Sequence, residues 1–222
     1  MEWIKTEREE MRGKIEPRSQ FVNRNIEWWW INRKFERVRR RKYYEKFLAF
    51  GKIETNDKQI VGEVGPGPFG GMIEVMKLSA NRKVFIDYIL EDLYNLHFIK
   101  WPDNSTMVEA PAEHIPLRDD FIDVLLSYNT LDHGWDIETC IKECIRVSKK
   151  CYLAFDCRGD DNGEVDIRKD GHDLDHYQLV HLLDIIGFMQ EEMPFDVDWH
   201  VEDMKIKHFP VAFIKAEKLE LC

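Results

Sequence analysis

Residues 61–71 read Val-Gly-Glu-Val-Gly-Pro-Gly-Pro-Phe-Gly-Gly. An apolar run that closes on glycines and opens into Met72, Ile73, Val75, Met76 and Leu78 predicts a strand, a tight turn and a helix. In that arrangement a ligand reaches backbone that side chains would otherwise block. Gly65, Gly67 and Gly70 match the spacing of a dinucleotide fingerprint, but Pro66 and Pro68 remove N–H donors that a pyrophosphate would need. Glu63, at the strand end, would repel phosphate and suits a ligand carrying an ammonium and a sulfonium. Asp87 follows 17 residues after Gly70, where a carboxylate can hold a ribose diol, as an NAD enzyme would also require. His133, beside Asp132, is the one histidine expected at a strand end on the same side. An imidazole is suited to taking a proton near neutral pH. His172 and His176 bracket an acidic, glycine-containing stretch, 160–175, and are second candidates for that role.

The elements that must position these groups alternate. Strands are expected at Gln59–Val64, Lys83–Tyr88, Thr106–Glu109, Phe121–Ser127 and Lys150–Asp156. Helices are expected at Phe69–Ser79, Glu91–His97, Asp136–Val147 and Leu174–Ile186, the last stopped by Gly187. The helix from Asp136 carries the apolar stripe Ile137, Cys140, Ile141, Cys144 and Ile145, and Asp136 can cap it. Short apolar strands alternating with helices predict a mostly parallel sheet covered on both faces. Phe188–Met193 and His208–Ala216 close the chain with no helix between them, which predicts an antiparallel pair. In such a sheet, ligands sit beyond the carboxyl ends of the strands.

Charge separates the first 50 residues, with 14 Lys/Arg against 8 Asp/Glu, from the remaining 172, with 18 against 34. The division predicts a basic, aromatic-rich helical cap over 1–56 and a ligand-binding domain over 57–222. Trp28, Ile31, Phe35 and Val38 recur at helical spacing along Ser19–Phe50, with Gly51 as a stop. The basic run 37–42, followed by Tyr43 and Tyr44, admits a nucleic-acid contact. It equally fits a cap whose Trp and Tyr side chains pack on the core while its arginines stay in water. The five cysteines are odd in number and lack CxxC spacing, so buried free thiols in a reducing compartment are expected, although Cys140 and Cys144 lie one helical turn apart. No apolar run approaches a membrane span and residues 1–20 are too charged for a signal peptide, which gives the expectation of a cytoplasmic protein without a membrane partner.

Glu63-x-Gly65-x-Gly67 resembles the first motif of class I S-adenosylmethionine (SAM) methyltransferases. The run Ala112-Glu113-His-Ile-Pro-Leu117, followed by Asp119, Asp120, Phe121 and Asp123, resembles that family's Ala-Glu, apolar-Pro-apolar and acidic-Phe-Asp sequence. Tyr128-Asn129-Thr-Leu-Asp132-His133 and the later Arg146-Val147 pair fall at matching places. The resemblance spans about residues 58–216. Pro111 stands where the family has an acid for the adenine amino group, so adenine contact is left to backbone, Glu113 or Glu109. Ser148-Lys-Lys150 replaces the usual Pro-Gly-Gly turn. The resemblance implies a doubly wound, seven-stranded Rossmann-like α/β sheet with a C-terminal antiparallel strand. It also implies SAM as cofactor, held by Glu63, Gly65, Gly67, Gly70, Asp87, Tyr88, Ala112, Glu113, Tyr128 and Asn129, with His133 and Asp132 as the catalytic pair. The expected activity is methyl transfer to a small-molecule or glycan-type acceptor, at oxygen. The alternatives are methylation of RNA or another macromolecule through the basic helix, a SAM-fold binding protein without catalysis, and an NAD-binding oxidoreductase.

Overall fold

The computed structural model describes residues 18–90, 101–134, 136–156, 189, 195–202 and 211–218. Seven strands form one sheet: β1 (Ile60–Val64), β2 (Arg82–Ile86), β3 (Ser105–Val108), β4 (Ile122–Tyr128), β5 (Ser148–Asp156), β6 (Phe195–Glu202) and β7 (Val211–Lys218). Their spatial order is β3-β2-β1-β4-β5-β7-β6. The first five run parallel, and β7 inserts antiparallel between β5 and β6. The order reverses at β1, which pairs with β2 on one side and β4 on the other. Glu63 lies opposite Phe85 in one register and Leu126 in the other.

Both faces are covered. On one, α3 (Ile137–Val147) lays Ile137, Cys140, Ile141, Cys144 and Ile145 against Val84, Ile86, Leu125 and Leu153. On the other, α2 (Gly71–Val75) and the long α1 (Arg18–Gly51) bury Met72, Ile73, Tyr43, Tyr44 and Phe47 against Val61, Phe85, Leu126, Tyr128 and Phe213. The strand residues that serve the two faces alternate, Leu125 going one way and Leu126 the other, as a pleat requires. Cys140, Cys144 and Cys151 are buried free thiols in this core.

Several expectations are corrected in detail. The helix after the glycine turn ends at Val75 rather than Ser79. Lys77 takes a left-handed φ of 55°, Lys77 N–H donates to Glu74 C=O and Leu78 N–H to Ile73 C=O, which closes a Schellman cap. Asp136 sits at the N-cap of α3, but its carboxylate accepts from the Thr139 hydroxyl at 2.8 Å instead of from backbone. Phe188–Met193 is not the partner of the last strand. Met189 is helical and buried, and the pairing strand is Phe195–Glu202, whose strict alternation of apolar and polar residues suits an edge. The expected helices at Glu91–His97 and Leu174–Ile186 lie outside the described residues. No helix among the described residues is long and apolar enough to cross a membrane.

Candidate active site

The glycine turn leaves β1 at Val64, makes a short 3-10 turn over Gly67–Phe69 and enters α2 through Gly70. Gly67 carries the ligand-facing property: its φ is +58°, and nothing lies within 4 Å of where a β-carbon would stand. At that point the backbone is open to whatever occupies the crevice. Gly65 is closed in instead, since a β-carbon there would run into Thr130. Gly65 N–H donates to Ile86 C=O at 2.8 Å, tying the turn to the end of β2.

Glu63 is 2% exposed, and its carboxylate turns toward the start of α2. Oε1 accepts from Met72 N–H at 2.6 Å and Oε2 from Ile73 N–H at 3.0 Å, satisfying two of the donors a helix start leaves open. Burial pushes its carboxyl up to about 7, an effect partly offset by those two N–H groups and by the Arg40 guanidinium. The carboxylate presses on Gly71, a fourth glycine that the three-glycine spacing passed over. A β-carbon at Gly71 would collide with Glu63, and its φ is +59°. Gly71→Ala is therefore expected to lower unfolding stability by about 2–3 kcal/mol, measured by urea denaturation, through left-handed strain and displacement of the buried carboxylate.

Asp87 follows β2 immediately. One of its oxygens lies 3.4 Å from Gly67 N–H and the other accepts from Ile89 N–H at 3.2 Å, so it reaches the turn while ordering its own loop. Tyr88 is 46% exposed beside it. Tyr128 ends β4 with its ring buried against Tyr44 and Phe47, centroids 5.2 and 5.7 Å away and both edge-on. Asn129 then adopts a φ of 55°, with its N–H bonded to Ala154 C=O at 2.8 Å. A left-handed residue directly past a central strand is local strain at the ligand end of the sheet. Thr130, absent from the sequence-derived set, hydroxyl-bonds Gly65 C=O at 3.2 Å and so clasps the ends of β4 and β1 together. His133 closes the 3-10 turn Leu131–His133, half-buried, with its N–H bonded to Thr130 C=O at 3.0 Å. Asp132 occupies the middle of that turn.

Ala112 and Glu113 lie in the loop between β3 and β4. Glu113 Oε1 is 3.4 Å from Asp136 N–H and interacts with the Cys140 thiol, bracing the start of α3 from below. The following loop is fixed by Arg146, which donates to Ile115 C=O, Leu117 C=O, Asp119 and Glu143 at 2.6–2.8 Å. α1 closes the other side. The Arg40 guanidinium stacks over the Phe69 ring at 4.9 Å, with the buried Glu36 carboxylate 3.8 Å from its Nε, so the helix rests on the glycine turn itself. Glu63, the glycines, Asp87 and the 128–133 segment thus meet at the carboxyl ends of three adjacent parallel strands. His172 and His176 lie outside the described residues.

Residues 63–151, from Glu63 into β5, match the family model described as a methyltransferase domain. Over those residues the chain is similar to a methyltransferase domain, and the order of its sheet is the one that domain's fold requires. SAM is the cofactor this similarity implies, and the open backbone at Gly67, with Asp87 at its N–H and Glu63 at the start of α2, fits a ligand with a cationic and a diol end. Solved structures share the methyltransferase fold. A Bacillus halodurans protein assigned as a methyltransferase aligns at TM-score 0.63 and 14% identity, covering 80% of this chain and 99% of its own. A chain from the Haloferax volcanii complex between the Trm112 methyltransferase activator and a protein assigned as a methyltransferase aligns at 0.67 and 13%, covering 86% and 96%. A Methanococcus maripaludis protein assigned as SAM-dependent aligns at 0.55 and 15%, covering 81% and 85%. No curated protein matches the chain.

Proposed function

We propose that this methyltransferase domain alkylates an oxygen of a small-molecule or glycan-type acceptor, with His133 as general base. The observation that carries the reading is the Thr130 clasp. One hydroxyl bond to Gly65 C=O and one backbone bond from His133 N–H to Thr130 C=O tie the histidine's turn to the glycine turn. SAM supplies, when bound, an electrophilic methyl group on a sulfonium. Glu63 and Asp87 would hold its amino-acid and ribose ends, the first as a buried carboxylate for an ammonium and the second as an acceptor pair for a diol. Tyr128, Tyr44 and Phe47 exclude water from the adjoining wall. His133 Nε2 or Nδ1 would take the acceptor's hydroxyl proton as displacement proceeds, and most of the remaining acceleration would come from holding the reactants in line. The test is formation of S-adenosylhomocysteine from SAM across a panel of hydroxylated acceptors, with amine acceptors as the counter-panel. Turnover confined to amines would overturn oxygen transfer.

Glu63 gives the cofactor site a pH signature. Its folded-state carboxyl titrates at about 7 against an ordinary 4.5. Its contribution to stability is therefore complete below the ordinary value and is lost as pH rises through about 7. An ammonium placed beside it pulls that value down, so binding releases a proton wherever the free site is protonated. Affinity for S-adenosylhomocysteine is expected to tighten as pH rises from about 5.5, by up to about tenfold per unit, and to level off near 7. Calorimetry over that range checks it, and Glu63→Gln should flatten the profile.

A further inference from the structure

We propose that the outward face of α1 is a docking surface for an anionic lipid bilayer. The helix has two apolar faces. Tyr43, Tyr44 and Phe47 turn inward and are buried. Ile31, Phe35 and Val38, spaced i, i+4 and i+7, lie on the opposite side and are 68%, 66% and 66% exposed. Three large side chains from successive turns form a continuous ridge, whereas exposed apolar residues are ordinarily scattered singly. Three residues of the stripe from which the sequence predicts the helix, Ile31, Phe35 and Val38, thus face away from the core.

Charge selects the occupant. Lys34, Arg37, Arg41 and Lys42 are exposed around the ridge, and Glu45, on the same side, is partnered by Arg41 at 3.5 Å. A second copy laid against this face would bring the two basic sets together. The acidic residues that give the chain its net −10 lie mostly after residue 50 in the sequence, outside this helix. A convex ridge of aliphatic and aromatic side chains bordered by long cationic ones suits a flat, deformable, anionic surface. The apolar groups enter the acyl boundary while the cations reach lipid phosphates. At 34 residues α1 is about 51 Å long, yet it is too polar to span, so it would lie in the interface plane.

The test uses the full chain and sedimentation with vesicles of phosphatidylcholine alone or with about 30% phosphatidylglycerol, at about 0.1 M salt. Binding is expected to be at least about tenfold stronger on the anionic vesicles and to weaken with salt. Phe35→Asp and the pair Lys34→Glu, Arg41→Glu should each reduce it about tenfold or more. These side chains are exposed, so thermal unfolding and S-adenosylhomocysteine affinity should stay unchanged, separating this surface from the cofactor site. Equal binding to both vesicles, no binding even at low salt, or binding indifferent to Phe35→Asp would each overturn the proposal. So would retention of an RNA oligonucleotide in place of vesicles, or a dimer in solution that Phe35→Asp dissolves.

Discussion

Gly67→Val is expected to abolish cofactor binding, with S-adenosylhomocysteine affinity falling more than about 100-fold, roughly 2.7 kcal/mol. Nothing of the protein lies within 4 Å of the new β-carbon, so the substituent projects into the space the ligand must enter. The folded state bears only the strain of a β-branched residue at a φ of +58°, about 1–3 kcal/mol. Binding should vanish while the fold survives, as calorimetry beside thermal unfolding would show. Glu63→Ala, the other obvious disruption of this site, behaves differently. It strips two buried N–H groups, those of Met72 and Ile73, of their acceptor. Each unsatisfied donor costs about 1–3 kcal/mol, so loss of binding would come mixed with loss of stability. Retained affinity in Gly67→Val would mean that the ligand does not approach the turn here.

The glycine turn was legible because its constraints are local. A run of glycines and prolines after an apolar strand has few conformations to choose from, and β1, β2, β3 and β4 fall within one or two residues of the expected ends. What sequence pattern left open was direction. The spacing of Ile31, Phe35 and Val38 predicts a helix equally well whichever way the stripe points, and tertiary packing chose Tyr43, Tyr44 and Phe47 for the inner face. Glu63 was legible as a carboxylate at the ligand end of β1, but its bonds to Met72 and Ile73 depend on how α2 leaves the turn. The same holds for Gly71, whose need for a missing side chain appears only once Glu63 is placed. Thr130 gave no signal at all: a single threonine in a loop acquires its role from a strand 65 positions earlier.

His133→Ala is expected to reduce turnover by about 10²–10⁴, with affinity for S-adenosylhomocysteine changed less than about threefold. The separation follows from position. The glycine turn and Asp87 belong to the ends of β1 and β2, whereas His133 sits in the 3-10 turn past β4, on the far side of the Thr130 clasp. Removing the imidazole beyond Cβ leaves the backbone bond to Thr130 C=O intact, so the turn should keep its place. Thr130→Val supplies a graded control. It removes the hydroxyl bond to Gly65 C=O but leaves His133 in place, so it should shift both cofactor affinity and turnover, where a lost base shifts turnover alone. Near-normal turnover of His133→Ala with its acceptor would move the proton-accepting role to His172 or His176, or leave catalysis to proximity.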